Sequence, residues 1–216
     1  MNAALPRVVV LGSGAGSNFE ALAEQAGGHY EIVAVGSDKA DAPILDRARR
    51  HAIPVFSITP FDYPEHTARD AALARAIAGA RPDWVALAGY MRLLGAETLA
   101  AAPGRILNVH PALLPAFPGL DTYRRVLAAG AREHGSTVHF VTAELDSGPP
   151  ILQARLGIAA NETVESLEAR VKTMEHRIYP QALAWCAAGR VAMRDGVTWL
   201  DGKRLTKPII VEETDE

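Results

Sequence analysis

Three side chains in this sequence stand out as suited to chemistry. Asn108 and His110 lie two residues apart in Ile106-Leu107-Asn108-Val109-His110-Pro111, and Asp146 lies in Glu144-Leu145-Asp146-Ser147-Gly148-Pro149. On an extended strand, residues two apart share a face, so the amide and the imidazole point the same way. Pro111 donates no backbone hydrogen bond and biases His110 toward extended φ/ψ. The pair is therefore predicted at a strand's end, where the chain leaves the sheet. Open α/β sheets hold their ligands at that edge. Amide, imidazole and carboxylate together offer a donor to a developing oxyanion, a group able to titrate near neutrality, and an anion to keep that group charged. The chemistry this implies is acyl transfer without a nucleophilic Ser or Cys.

Rival chemistries fit less well. A lone histidine after a strand is more often structural, but both stretches put polar groups beside turn-forming residues in apolar surroundings. His134 and His139 are five apart, which puts them on one face of neither a helix nor a strand, and there is no cysteine pair, so no metal site is expected. No G-x-S-x-G elbow occurs, which argues against a Ser-His-Asp hydrolase. A second polar stretch, Gly12-Ser13-Gly14-Ala15-Gly16-Ser17-Asn18, follows the apolar run that starts at Arg7. Successive backbone N–H groups and the positive end of a helix beginning near Asn18 would suit a phosphate. Ser17 stands where the dinucleotide fingerprint wants a third glycine, and no Gly-Lys-Ser/Thr marks a Walker loop. A tight turn that needs its glycines only for geometry remains the competing reading.

The elements that must position these groups follow from periodicity. Continuous apolar runs predict buried strands from Arg7 to Gly12, Tyr30 to Ser37, Pro54 to Ile58 and Trp84 to Ala88, besides the one ending at His110. Helices are predicted over Ile44 to His51 and Pro64 to Gly79, the latter with Leu73, Ala76, Ile77 and Ala80 as its stripe. This alternation predicts a doubly wound, mostly parallel α/β sheet of Rossmann-like form, a single domain over 1–216. The run Tyr90-Met91-Arg92-Leu93-Leu94 at a strand's end could line a pocket for a flat ring, or be unrelated core and surface residues. Asp38 could touch a ribose hydroxyl, but reads first as a loop or capping carboxylate. Ala112 to Gly119 reads as the entrance of a mobile lid, and Asp121 as the N-cap of a helix reaching Ala129. Strands are expected over His134 to Val141 and Pro150 to Ile158, joined by the Asp146 loop. A long helix from Val164 to Trp185 carries Val164, Leu167, Val171, Met174 and Ile178 on its buried stripe, with Asn161 or Thr163 as cap and a kink or break at Pro180. Glu175 and His176 lie beside that stripe, where they could reach a neighbouring cleft, though a solvated face is the default for such residues. A small hairpin turning at Asp195-Gly196 and a loose tail from Lys207 complete the chain.

Composition bounds the function. Hydrophobic residues make up 49% and charged residues 22% of the 216, enough for a sizeable core. A net charge of −3 with scattered Lys and Arg offers no footprint for nucleic acid. No apolar run approaches the roughly 20 residues of a membrane span, and no secretory signal is seen at the start. Cys186 alone cannot form an internal disulfide, which fits a reducing compartment. A cytoplasmic enzyme of small molecules, monomer or homodimer, is expected.

The segments GSGAGSN, AGYMR, ILNVHPALLPAFPG, HGSTVHFVTAELDSGPPILQ and KTMEHRIYP closely resemble the folate-dependent phosphoribosylglycinamide formyltransferases. The resemblance covers nearly the whole chain, and N-x-H-P-x-L-L-P with L-D-x-G-P is specific to the formyltransferase group. Other branches of that group carry an additional domain, for which 216 residues leave no room. One departure is Asp121-Thr122-Tyr123, where some members have histidines. The resemblance implies the formyltransferase fold and transfer of formyl from 10-formyltetrahydrofolate to the amine of glycinamide ribonucleotide in purine biosynthesis. It implies Asn108, His110 and Asp146 as catalytic, and Gly16, Ser17, Asn18 and Glu175 as the acceptor's phosphate and ribose site. Met91, Arg92, Leu93 and Leu94, with Thr142, Ala143, Glu144 and Leu145, become the folate site, and no metal is required. A nucleotide-binding module without chemistry, and a formyl transferase acting on another amine such as a sugar nucleotide, stay open.

Overall fold

The computed structural model describes residues 4–213. In chain order the elements are β1 (Arg7–Leu11), α1 (Ser17–Gln25), β2 (Glu31–Ser37), α2 (Pro43–Arg50), β3 (Val55–Ser57), α3 (His66–Ala80), β4 (Trp84–Leu87), α4 (Ala96–Ala101), β5 (Ile106–His110), α5 (Thr122–Ala128), β6 (Glu133–Phe140), β7 (Pro150–Gly157), α6 (Val164–Ala187), β8 (Val191–Arg194), β9 (Val197–Leu200), β10 (Lys203–Arg204) and β11 (Ile209–Glu212). Eight strands form one sheet in the order β11-β7-β6-β5-β4-β1-β2-β3, and β10-β9-β8 form a small second sheet. Only β6 runs antiparallel to its neighbours in the large sheet. The expected mostly parallel α/β sheet with a small C-terminal hairpin is thus observed. Val8 to Leu11 of β1 and all of β4 are apolar and buried on both faces, as their lack of alternation implies. Helices α1, α2 and α6 pack with one apolar layer and α3 with the other.

Several local expectations are corrected. Helix α6 runs unbroken through Pro180. The missing N–H removes one hydrogen bond from a helix whose Tyr179, Pro180, Ala182 and Leu183 are all buried, and that packing outweighs the local loss. Its cap is Thr163, whose Oγ1 accepts from Ser166 N at 3.1 Å. The tail is not loose over Ile209–Glu212, which pairs in parallel with β7. Arg155 and Arg170 face Glu212 and Glu213 and tie that edge down. Asp121 makes no side-chain cap, because its φ of 57° is left-handed rather than the extended geometry an N-cap uses. On α3, Leu73 and Ile77 are buried as expected and Ala80 packs partly buried against the same cluster, while Asp70, Ala72 and Ala74 are buried as well and Ala76 only half so.

Candidate active site

Strand β5 ends with Asn108 and His110 at the sheet's C-terminal edge, beside the ends of β4 and β1. Antiparallel pairing with β6 sets Asn108 opposite His139 and His110 opposite Thr137. Asn108 Nδ2 lies 3.2 Å from His139 Nε2, and His139 Nδ1 lies 2.8 Å from the Phe140 carbonyl. A carbonyl only accepts, so the ring proton sits on Nδ1 and Nε2 offers its lone pair to the Asn108 amide. Burial keeps His139 below the usual histidine range, which favours this neutral form. The amide is thereby fixed, with its second N–H free for the cleft.

His110 Nε2 donates to the Phe117 carbonyl at 2.9 Å, while Nδ1 faces Asp146 Oδ2 at 3.4 Å. Asp146 Oδ1 lies 3.8 Å from His139 Nε2, and Oδ2 also accepts from Gly119 N at 2.8 Å. One carboxylate therefore touches both imidazoles and the segment after β5. Asp146 has a left-handed φ of 50°, which Asp and Asn tolerate better than other residues with a Cβ. Close by, a Cβ on Gly148 would meet the Phe140 carbonyl oxygen at 1.8 Å, so only glycine lets this loop lie against β6. The segment read as a lid entrance is anchored: Thr137 Oγ1 donates to Ala112 O at 2.7 Å, Gln153 Nε2 to Leu114 O at 2.8 Å, and Arg125 to the carbonyls of Pro118 and Leu120.

On a second side of the cleft, Gly16 begins α1 with φ 81°, and its Cα packs against Ile44 so tightly that a Cβ would stand 2.9 Å from that side chain. Geometry alone thus demands this glycine. The N–H groups of the first turn that follows have no intrahelical acceptor, the arrangement by which helix starts attract anions. Asn18 Nδ2 donates to Glu175 Oε2 at 2.8 Å, and Ser136 Oγ to Glu175 Oε1 at 3.0 Å. Glu175 is only 5% exposed, not on a solvated face, and burial raises its pKa above the usual carboxylate range.

The third side is apolar. Met91, Leu93 and Leu145 are each more than half exposed at the cleft, an unusual density of uncovered large side chains. Arg92 Nε donates to the buried Asp38 at 2.9 Å, so that carboxylate is an ion-pair partner rather than a cap. All three sides belong to one cleft of about 660 Å³, which Gly16, Ser17, Asn18, Met91 to Leu94, Asn108, His110, Thr142 to Asp146 and Glu175 line together. Every residue that the sequence nominated is brought there. Tyr123, His139 and Lys172 also line it and were not nominated. His139 was weighed only as a metal ligand; its signal lies in the strand register, which spacing does not show. Among the described residues, no group of three or more His, Cys, Asp or Glu is placed to hold a metal, and no helix is long and apolar enough to cross a membrane.

Behind the cleft, His134 is 1% exposed, stacked edge-on against Tyr123, and burial pushes its pKa down to about 4. An unfolded chain binds a proton near pH 6.5 that the folded one refuses, so this residue's contribution to stability is lost as pH falls from 6.5 toward 4. The expected result is a thermal midpoint that drops across that window more steeply in the parent than in His134→Gln. Parallel pH profiles for the two proteins would exclude His134 as a source of the acid sensitivity.

A formyl transferase family model matches residues 6–183. The chain is 44% identical to the phosphoribosylglycinamide formyltransferase of Escherichia coli over 92% of this chain and 95% of that one. In structure it is similar to the phosphoribosylglycinamide formyltransferase of Coxiella burnetii, with a TM-score of 0.90 and 44% identity over 96% of this chain and 99% of that one. Glycinamide ribonucleotide transformylase 1 of Symbiobacterium toebii gives a TM-score of 0.87 and 45% identity over 91% and 94%. With family match, relatives and fold in agreement over nearly its whole length, the chain belongs to the formyl transferase family, among its phosphoribosylglycinamide formyltransferases.

Proposed function

We propose that the cleft transfers the formyl group of 10-formyltetrahydrofolate to the amine of glycinamide ribonucleotide. The observation that carries this reading is the meeting, in one cleft, of a helix start with unpaired N–H groups, an uncovered apolar wall and the Asn108–His110–Asp146 cluster. The acceptor amine is its own nucleophile, so the protein's tasks are positioning and charge stabilisation. The amine nitrogen attacks the formyl carbon and a tetrahedral oxyanion forms. Asn108 Nδ2–H and cationic His110 stabilise that oxygen, and Asp146, directly or through a water, helps take the proton the amine must lose. The carbonyl then re-forms as the bond to N10 of the folate breaks and N10 gains a proton, giving the formylated acceptor and tetrahydrofolate. The turn at Gly16, Ser17 and Asn18 holds the 5′-phosphate, Glu175 the ribose hydroxyls, and Met91 to Leu94 with Thr142 to Leu145 the pterin. No step calls for a metal, and the reaction suits the cytoplasm.

The direct test supplies the purified protein with a 10-formyl folate and different amines while deformylation is followed by absorbance. Turnover with glycinamide ribonucleotide and not with amino sugar nucleotides is expected. Folate binding without turnover on any amine, or turnover only on another amine, would overturn the assignment.

Glu175→Gln separates binding from stability. Because burial raises the carboxyl's pKa above the unfolded value, its charged form weighs against the fold as pH rises through the folded pKa. A neutral amide removes that penalty, and Asn18 Oδ1, buried without a partner, can accept from the new NH₂ after a flip. At pH 8 the variant should therefore unfold at or above the parent's midpoint. Its KM for the acceptor should rise roughly tenfold or more, because hydrogen bonds from the ribose hydroxyls to a charged acceptor are lost. A destabilised variant with normal acceptor KM would make Glu175 purely structural.

A further inference from the structure

In the wall from Met91 to Leu94 only Leu94 packs against the core, while Met91 and Leu93 are about two-thirds exposed, so the wall's shape depends on what fastens its backbone. At its far end the Asp70 carboxylate accepts from Gly95 N at 2.8 Å and Glu97 N at 2.9 Å, and Thr98 Oγ1 adds a third bond. At its near end the fastening comes from another loop. Ser13 N donates to the Gly89 carbonyl at 3.0 Å, and Ser13 Oγ accepts from Met91 N at 2.9 Å. Ser13 is only 3% exposed and does not line the cleft. Its neighbour Gly12 reinforces the approach, since a Cβ there would stand 2.8 Å from the Ala88 carbonyl oxygen. One serine thus clamps the chain on both sides of Tyr90, and it belongs to the same loop as Gly14 and Gly16.

We infer that Ser13 is a positioning residue for the formyl-donor wall, acting across the cleft from within the glycine loop and fixing the separation of the two substrate subsites. The inference rests on the proposed function for the identity of the two ligands. Its consequence runs against chain neighbourhood. A residue three positions before Gly16, where the turn that receives the acceptor's phosphate begins, governs the other substrate. Without the hydroxyl, Met91 N–H loses its acceptor and the segment is free to shift away from the pterin.

Ser13→Ala is the test, read as separate Michaelis constants for donor and acceptor, with calorimetric binding of a folate analogue alongside. The donor KM and the analogue Kd should rise about tenfold, the scale of an unpaired buried N–H, while the acceptor KM stays near the parent value. Ser13→Thr, which keeps the accepting oxygen, should restore the donor constant. Asp70→Asn, which loosens the opposite end of the wall, should raise the donor constant alone, and it provides the same reading if Ser13→Ala does not fold. A rise in the acceptor constant alone or in both equally, or no change in either, overturns the inference. A parent protein that binds no folate analogue removes the proposed function as well. Normal parental binding that Ser13→Ala and Asp70→Asn leave untouched removes only the role of Ser13.

Discussion

Replacing Asn108 with Ala should lower turnover by roughly a hundredfold or more, the cost of about 3 kcal/mol that follows loss of one oxyanion donor. The donor is pre-set rather than recruited. His139 opposite it on β6 is neutral and already holds one amide hydrogen, so the other is aimed before substrate arrives. Pre-setting makes the loss fall on the transition state, and the Kd of a folate analogue and the acceptor KM should both stay near the parent values. Asn108 is half-buried in a strand whose Ile106, Leu107 and Val109 fill the core, and truncation removes no core packing. Turnover measured at saturation with both substrates decides the matter. A fall of less than about threefold in a folded variant is too small for a lost oxyanion donor. It would point to the backbone or His110 as the main stabiliser.

What the sequence disclosed depended on whether the signal was local. The run ending in Asn108-Val109-His110-Pro111 carries its own strand, its face and its terminus, so that half of the site was legible from adjacent residues. Asp146 was legible through its Asp-Ser-Gly-Pro turn, although only the structure shows its carboxylate shared among His110, His139 and Gly119 N. Residues that enter by packing were misread or missed. Glu175 looks solvated on a helical projection, and it is the docking of α6 beside α1 and β6 that buries it against Asn18 and Ser136. His139 and Ser136 depend on the antiparallel register of β6 with β5, which no spacing rule encodes. Asp38 looks like any loop carboxylate until β4 brings Arg92 to it. The edge strand at Ile209–Glu212 is four residues long, and its pairing with β7 lies more than fifty residues back along the chain.

Asp146→Asn should have the largest effect of any near-isosteric change in the cleft. Asn tolerates the left-handed backbone found here, and its carbonyl oxygen can still accept from Gly119 N, so loop and fold should survive. What disappears is the negative charge beside two imidazoles. In the parent, Nε2–H of His110 donates to the Phe117 carbonyl while Nδ1 faces a carboxylate, and the cation is the form that donates in both directions. An asparagine leaves that contact without its counter-charge, and nothing remains near His110 to draw the proton from the attacking amine. Each tenfold loss of rate corresponds to about 1.4 kcal/mol of barrier, and losing both contributions should lower kcat by at least about a thousandfold. Folate-analogue affinity should hold near the parent value, since the wall formed by Met91 to Leu94 and Thr142 to Leu145 is untouched. Restoration of turnover by a small carboxylate such as formate, added to an Asp146→Gly variant, would assign the effect to charge. Near-normal turnover in Asp146→Asn would take Asp146 out of the mechanism and leave its loop as part of the folate pocket alone.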